Sequence, residues 1–345
     1  MTADTVAEGA VLHCLATALS GDLDRGEIER LLVISTGVRR RSVLYFVGLA
    51  GDPNRCHWVV KQPDVTIRQD DLASPLDASA QYDGLRRLHD GLIRSGGGVR
   101  APRPLAHLAA LDAYVMEYVP GPALTGLMGP RALLDDHTLL RGVAGAARVL
   151  RAVHAIESPR PSSLDLSDLE RRSLARAVRL LESAGLPGRE RWFVRTQASA
   201  PTSIGSRVLL HGDFAPENVI LSSTGLFCLD PDLTHRGWAE HDVVRFLLML
   251  CDAPFFVASG DLRRARLLRR RATAAFLDAY YRGAPRPDTL RPLMVLALIA
   301  RWATRDSGIT ERAPRLAAGR RLLLRRHFMG LLDDVASPGW PASDR

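Results

Sequence analysis

Lysine is almost absent from this chain: Lys61 is the only one among 46 Lys and Arg residues in a length of 345. A skew of that size reflects genomic base composition, and it makes the single exception informative. Cysteine is sparse and scattered. Cys14, Cys56, Cys228 and Cys251 form no Cys-x-x-Cys pair, which argues against a zinc site or a disulfide framework. Cys228, inside an apolar run, reads as a small core hydrophobe. No apolar run reaches the roughly 18 residues of a membrane helix, and Met1-Thr2-Ala3-Asp4 does not open a basic-then-apolar leader. A soluble, cytoplasmic protein without a membrane partner is expected. No Gly-x-x-x-x-Gly-Lys-Ser/Thr occurs, setting a P-loop aside, and no internal repeat is apparent.

What is present suffices for two domains, each with its own core, and the 46% hydrophobic content is ordinary for a globular protein. The formal charge of +8 is carried by arginines that cluster at Arg263, Arg264, Arg266, Arg269, Arg270 and Arg271 and again at Arg320, Arg321, Arg325 and Arg326. Such clusters suit either nucleic acid or solvated helix faces. They interleave with Leu and Ala at helical spacing and bring few aromatics for base stacking, so solvated faces are the better reading and no nucleic-acid partner is expected.

The most informative stretch is 208–233. Apolar runs at 208–210, 219–221 and 226–229 read as short buried strands, and between and after them stand His211, Asp213, Asn218, Asp230 and Asp232. Each polar motif alone is also a plausible surface turn. In this order they match what phosphoryl transfer needs: a carboxylate beside the attacking hydroxyl, oxygen ligands for Mg²⁺ and a cation on the phosphates. Asp213 suits the first role, and the Asn218 amide oxygen and Asp230 carboxylate are hard ligands suited to the second. Lys61 suits the third, because a compact, rotatable ammonium and a guanidinium are not interchangeable against phosphate.

On His211-Gly212-Asp213, Asn218 five residues beyond and Asp230 closing a strand, the chain resembles the protein-kinase-like superfamily. Within it, the likeness is to the aminoglycoside phosphotransferase and choline kinase group of small-molecule kinases. Gly212 and Pro231-Asp232 stand where protein kinases carry Arg and Phe-Gly, and there is no Ala-Pro-Glu after the second motif. All three departures favour the small-molecule branch. The resemblance covers about residues 33–250. It implies an α+β, two-lobed protein-kinase-like fold: an N-terminal antiparallel β-sheet lobe with a helix over 1–119, and a larger mainly α-helical lobe over 120–345, with ATP and Mg²⁺ bound between them.

The strand, polar loop, strand, turn, strand pattern over 31–61 resembles the nucleotide-covering sheet of that superfamily. Gly37 is the only glycine in its first loop, and Ser35, Thr36 and Ser42 stand where small-molecule kinases carry a Ser-rich loop; a plain tight hairpin is the competing reading. A helix over 74–92 is expected to offer Lys61 a carboxylate. Gln81 occupies the expected place, with Asp77 and Asp83 as other candidates. The run 113–122 resembles the interlobe hinge, with the Glu117 carbonyl and Val119 amide facing the adenine edge and Met116 behind the base; a plain strand-to-helix connection fits it too. His154 and Asp242 read as structural, the latter capping a helix and holding the catalytic loop. His211 is expected to brace that loop, and Asp232 to support the metal through water. Amphipathic pattern at 165–185 and a linker at 196–206 complete the reading.

These residues imply transfer of the ATP γ-phosphoryl group to a hydroxyl of a small molecule such as an antibiotic, a sugar or a related metabolite. The arginine-rich second half argues against a polycationic acceptor and leaves a neutral or anionic one. Choline would need an aromatic cage from Trp238, Tyr280, Tyr281 and Trp302. Gln81 and the poor glycine loop keep a catalytically weak nucleotide-binding scaffold as the alternative.

Overall fold

The computed structural model describes residues 3–39, 42–63, 77–161, 206–233, 235–259, 262–287, 289–312, 317–337 and 340. The expected pattern at 165–185 and most of the 196–206 linker lie outside them.

The chain opens with helices α1 (Ala3–Ala18) and α2 (Arg25–Ile28). Strands β1 (Leu31–Arg39), β2 (Ser42–Leu49) and β3 (Asp52–Pro63) follow. Next come α3 (Ala78–Ser95), β4 (Val99–Arg100), β5 (Pro104–Leu108) and β6 (Ala113–Glu117), then α4 (His137–His154) and β7 (Arg160–Pro161). Strands β8 (Ser206–Leu209), β9 (Val219–Ser222), β10 (Gly225–Cys228) and β11 (Arg236–Trp238) lead to α5 (Ala239–Cys251), α6 (Pro254–Ala258), α7 (Arg263–Tyr281), α8 (Leu290–Arg312) and α9 (Ala317–Ala336). The architecture is the two-lobed kinase-like one: an antiparallel sheet lobe with a helix, and a larger helical lobe. Among the described residues no helix is long and apolar enough to cross a membrane.

The compact units are Met1–Gly121 with Ser222–Thr234, and Pro122–Leu221 with His235–Arg345. In the first, a five-stranded sheet runs β1-β2-β3-β6-β5, and every neighbouring pair is antiparallel. Its inward residues Tyr45, Val47, Val60 and Val115 alternate with outward ones, as the two-residue strand period requires, and bury themselves against Val11 and Leu15 of α1 and Leu19 just beyond it. Gly37 pairs with Leu44 and Arg39 with Ser42, so Gly37 and Ser42 both lie on paired strands and not in an open loop.

The second unit is held by helix packing. Phe246 of α5 stacks on Phe276 of α7 with centroids 4.2 Å apart, and Phe276 in turn stacks on Tyr280. Helix α4 buries Leu139, Val143, Ala146, Val149, Leu150 and Val153, a stripe at the spacing of one helix face. Trp302 stacks on Phe328, and Tyr280 is 9% exposed, so both serve the core and not an aromatic cage. One cluster arginine departs from the solvated reading. Arg269 is 1% exposed, and both it and Arg266 meet Asp334, each at under 3 Å. A buried guanidinium is tolerated because a carboxylate is buried with it.

Replacing Phe276 by Ala removes the middle of the aromatic stack and is expected to lower the free energy of unfolding by about 3–5 kcal/mol. The equivalent truncation of Leu134, 83% exposed, is expected to stay within about 0.5 kcal/mol. Urea denaturation of the two variants checks this, and similar losses for both would refute the packing description.

Candidate active site

The His211–Asn218 loop sits between β8 and β9 in the second unit, and its form is set by three local devices. Gly212 has φ 83°, a left-handed conformation that glycine adopts without the Cβ penalty; an Arg there would be strained. Phe214 is fully buried, its ring 5.4 Å from Phe246, so the residue next to Asp213 is anchored in the aromatic stack. Asn218 closes a short 3₁₀ turn and donates through Nδ2 to the Asp213 carbonyl at 2.9 Å, which directs its Oδ1 the other way.

Asp242 holds this loop from below. It is not the cap of α5: Trp238 occupies the N-cap position, and Asp242 lies inside the first turn. Its Oδ2 accepts from the His211 amide at 2.7 Å and from His154 Nε2 at 3.0 Å, and its Oδ1 accepts from the Gly212 amide at 3.0 Å. His154 Nδ1 is hydrogen-bonded to the Tyr280 hydroxyl at 2.7 Å. Burial alone would raise the Asp242 carboxyl, but the hydrogen bond and charge of His154, with the His211 contacts, hold it below the usual value.

One turn along α5, Arg245 forms an ion pair with Asp213 Oδ1. Residues three apart on a helix share a face, so Asp242 and Arg245 grip the loop's backbone and its carboxylate together. The sequence reading missed Arg245, although its spacing from Asp242 was the available signal.

In the first unit, Lys61 Nζ lies 2.8 Å from Asp230 Oδ1, and its ammonium is 5.9 Å from the ring centroid of Tyr114, its cross-strand partner on β6. Burial would lower the Lys61 value, but Asp230 and Tyr114 more than offset it, so the ammonium stays charged. Burial pushes the Tyr114 hydroxyl up to about 12.

The expected carboxylate from α3 does not serve Lys61. Asp77 caps the helix by accepting from the Ala80 amide, and Asp83 pairs with Arg86. Instead α3 grips the segment that carries Asp230. A Cβ on Gly84 would come within 3.0 Å of the Pro231 and Asp232 carbonyl oxygens, and Arg87 donates to the Leu233 carbonyl at 2.9 Å. Asp230 itself has φ 52°, a strained value for a residue with a side chain, and such strain gathers at functional positions.

At the end of β6, the Glu117 amide donates to the Arg103 carbonyl and the Tyr118 amide to that of His57. Alternation along an extended chain therefore turns the Glu117 carbonyl and the Val119 amide to the edge opposite β3. Met116 is buried beside them. Among the described residues the Val119 amide makes no backbone hydrogen bond.

The sequence profile of the phosphotransferase enzyme family matches residues 41–293. The chain belongs to that family. Membership supports ATP-dependent phosphoryl transfer to a small-molecule hydroxyl as the general activity of this phosphotransferase. Similar solved structures include a glucosamine kinase, at 20% identity and TM-score 0.51, covering 94% of this chain and 84% of that one. A choline kinase from Cryptosporidium parvum Iowa II is similar at 12% identity and TM-score 0.51, over 96% of this chain and 99% of that one. An amicoumacin kinase in complex with AMP-PNP, Ca²⁺ and Ami gives 14% and 0.52 over 96% of each. At such identities the likeness is one of fold. No curated protein matches this phosphotransferase in sequence.

Each unit carries an oxygen donor of the kind that suits Mg²⁺. Asn218 Oδ1 and the Asp230 carboxylate are hard oxygen donors, and among the described residues no group of three or more His, Cys, Asp or Glu side chains forms a metal cluster. Mg²⁺ is commonly held by one or two protein oxygens with substrate phosphates and water completing the shell.

Substituting Asn for Asp242 is expected to cost about 3 kcal/mol of stability at pH 7. Because the folded carboxyl lies below its unfolded value, the stabilisation is complete above about pH 4 and is lost as pH falls through the folded value. Thermal unfolding from pH 7 to pH 2 measures it, and a gap between wild type and variant that stays constant over that range would contradict the assignment.

Proposed function

We propose that the protein moves the γ-phosphoryl group of ATP to a hydroxyl of a small molecule, with Asp213 as the base that orients the acceptor hydroxyl and takes its proton. The observation that carries this reading is the fixed position of Asp213. Its backbone is tied through Asn218, its neighbours through Asp242 and Phe214, and its Oδ1 through Arg245. Among the described residues no partner is recorded for Oδ2, which is the atom offered to the hydroxyl. As the proton goes to Asp213, the acceptor oxygen forms its bond to the γ-phosphorus and the bond to the β-phosphate bridging oxygen breaks, releasing ADP. Positioning and charge stabilisation supply most of the rate in such transfers.

Lys61 is assigned to the nucleotide phosphates, and its present tie to Asp230 keeps the ammonium in place until they arrive. Asn218 and Asp230 are assigned to Mg²⁺, with Asp232 behind them through water; the ion when bound supplies neutralisation of charge on the phosphate oxygens. Gly37 on β1 and Ser42 on β2 are assigned to covering the phosphates. The Glu117 carbonyl and Val119 amide are assigned to the adenine edge with Met116 against the base. The backbone edge at the end of β6 supports that assignment. His211 braces the loop with its amide on Asp242 and its ring 5.2 Å from Phe214.

Asp213→Ala is expected to lower acceptor-dependent ADP release by roughly 10²–10⁴ while leaving ATP binding within about twofold. Lys61→Arg is expected to raise the KM for ATP about tenfold. Coupled ADP assays with mass spectrometry of the acceptor measure both. Tight ATP binding with no acceptor-dependent ADP release in the wild type would instead indicate a nucleotide-binding scaffold.

A further inference from the structure

The second unit contains a cavity of about 410 Å³ that the roles above leave unused. Its walls come from elements that already shape the Asp213 loop. Glu217 lies in the 3₁₀ turn between Asp213 and Asn218, and Met249 lies one turn beyond Arg245 on α5. Met128 and Phe255 add apolar surface, and Asp252 and Arg301 complete the charged lining; the other lining residues are uncharged. The volume falls within the range of small-molecule sites, and a largely apolar wall with a few polar groups is their usual composition.

The charge balance selects the occupant. Asp252, its side chain 1% exposed, is paired with Arg301 Nε at 2.6 Å, so its charge is already met. The Asp213 charge is likewise met by Arg245. Among the described lining residues this leaves Glu217, which is exposed, as the one carboxylate without a basic partner. It can answer one ammonium group. A second ammonium would lose water without a counter-charge and face the Arg301 guanidinium, while an added phosphate or carboxylate would face Glu217. Met128, Met249 and Phe255 reward an apolar face, and the flexible methionines adapt to its outline.

We propose that this cavity receives the acceptor, and that the acceptor is a hydroxylated compound with an apolar face and at most one positive charge, to the exclusion of polycations and polyanions. The proposal rests on the phosphotransferase reading for its use of the word acceptor; it keeps the exclusion of polycations drawn from the arginine content and replaces the anionic option with a single positive charge.

Calorimetric titration of the full chain with four probes tests it: n-octyl glucoside below its micellar concentration, glucosamine, glucose 6-phosphate and kanamycin. The wild type, Glu217→Gln and Phe255→Ala are compared, with ADP release followed in parallel and Asp213→Ala as the chemical control. Octyl glucoside and glucosamine are expected to bind at least about tenfold more tightly than the other two. Glu217→Gln is expected to weaken glucosamine about fivefold and octyl glucoside less than about twofold. Phe255→Ala is expected to weaken octyl glucoside about tenfold. Tightest binding of kanamycin or glucose 6-phosphate, affinities indifferent to both substitutions, or no binding of any probe overturns the proposal. Asp213-dependent ADP release that ignores both cavity substitutions rejects the cavity and keeps the phosphotransferase reading. Selective binding without acceptor-dependent ADP release supports the cavity and rejects that reading.

Discussion

A buried carboxylate with three N–H partners sets the geometry of the 211–218 loop. Asp242 is 2% exposed, and an ionised group so placed is tolerated only when its oxygens are filled. The His211 and Gly212 amides and the His154 imidazole fill them. Two of these donors lie on the loop itself and the third on α4, so satisfying one charge fixes the loop to α4 and α5, and through Tyr280 to α7. The aromatic contacts close the same circuit from the other side: His211 on Phe214, Phe214 on Phe246, Phe246 on Phe276, Phe276 on Tyr280, and Tyr280 on His154. Polar satisfaction gives the loop its direction, and apolar packing gives it stiffness.

The first unit applies the same rule to Lys61. Its ammonium is buried, and Asp230 and Tyr114 are the company that makes burial tolerable. The segment carrying Asp230 is in turn fixed by the close approach of α3 at Gly84 and by the Arg87 hydrogen bond. In both units the groups suited to phosphate chemistry are held by neighbours whose own charges or polar atoms need them. A substitution in either set therefore leaves an unmet group behind, which is costlier than the loss of a single contact.

The sequence revealed much of this because strand period and motif order are local properties. The strand, turn, strand pattern over 43–47, 51–54 and 57–61 marked β2 and β3, and the apolar runs around and after His211-Gly212-Asp213 marked β8, β9 and β10 to within two residues. His154 was readable as structural and Asp242 as the residue that holds the loop, but not the bond between them or the place of Asp242 inside the helix and not at its cap. What was not readable depended on pairing at a distance. The run 37–42 left a Ser-rich loop and a tight hairpin both open, and only the pairing of Arg39 with Ser42 decides between them. Nothing near Lys61 says that Asp230, far along the chain, takes its ammonium while Asp77 caps a helix. Arg269 looked like its solvated neighbours, and only the packing of α7 against Asp334 distinguishes it. Arg245 was hidden among the other arginines, although its distance of three residues from Asp242 placed it on the same helix face.

The claim on which the site depends is that the Asp242 carboxylate holds the loop backbone directly. Hydrogen exchange at the His211 and Gly212 amides, compared between wild type and Asp242→Asn at neutral pH, measures that hold. The expected result is exchange at least about tenfold faster at these two amides in the variant, with the amides around Phe246 and Phe276 still protected. Unchanged protection at His211 and Gly212 would contradict it, because the loop would then owe its position to the aromatic packing alone.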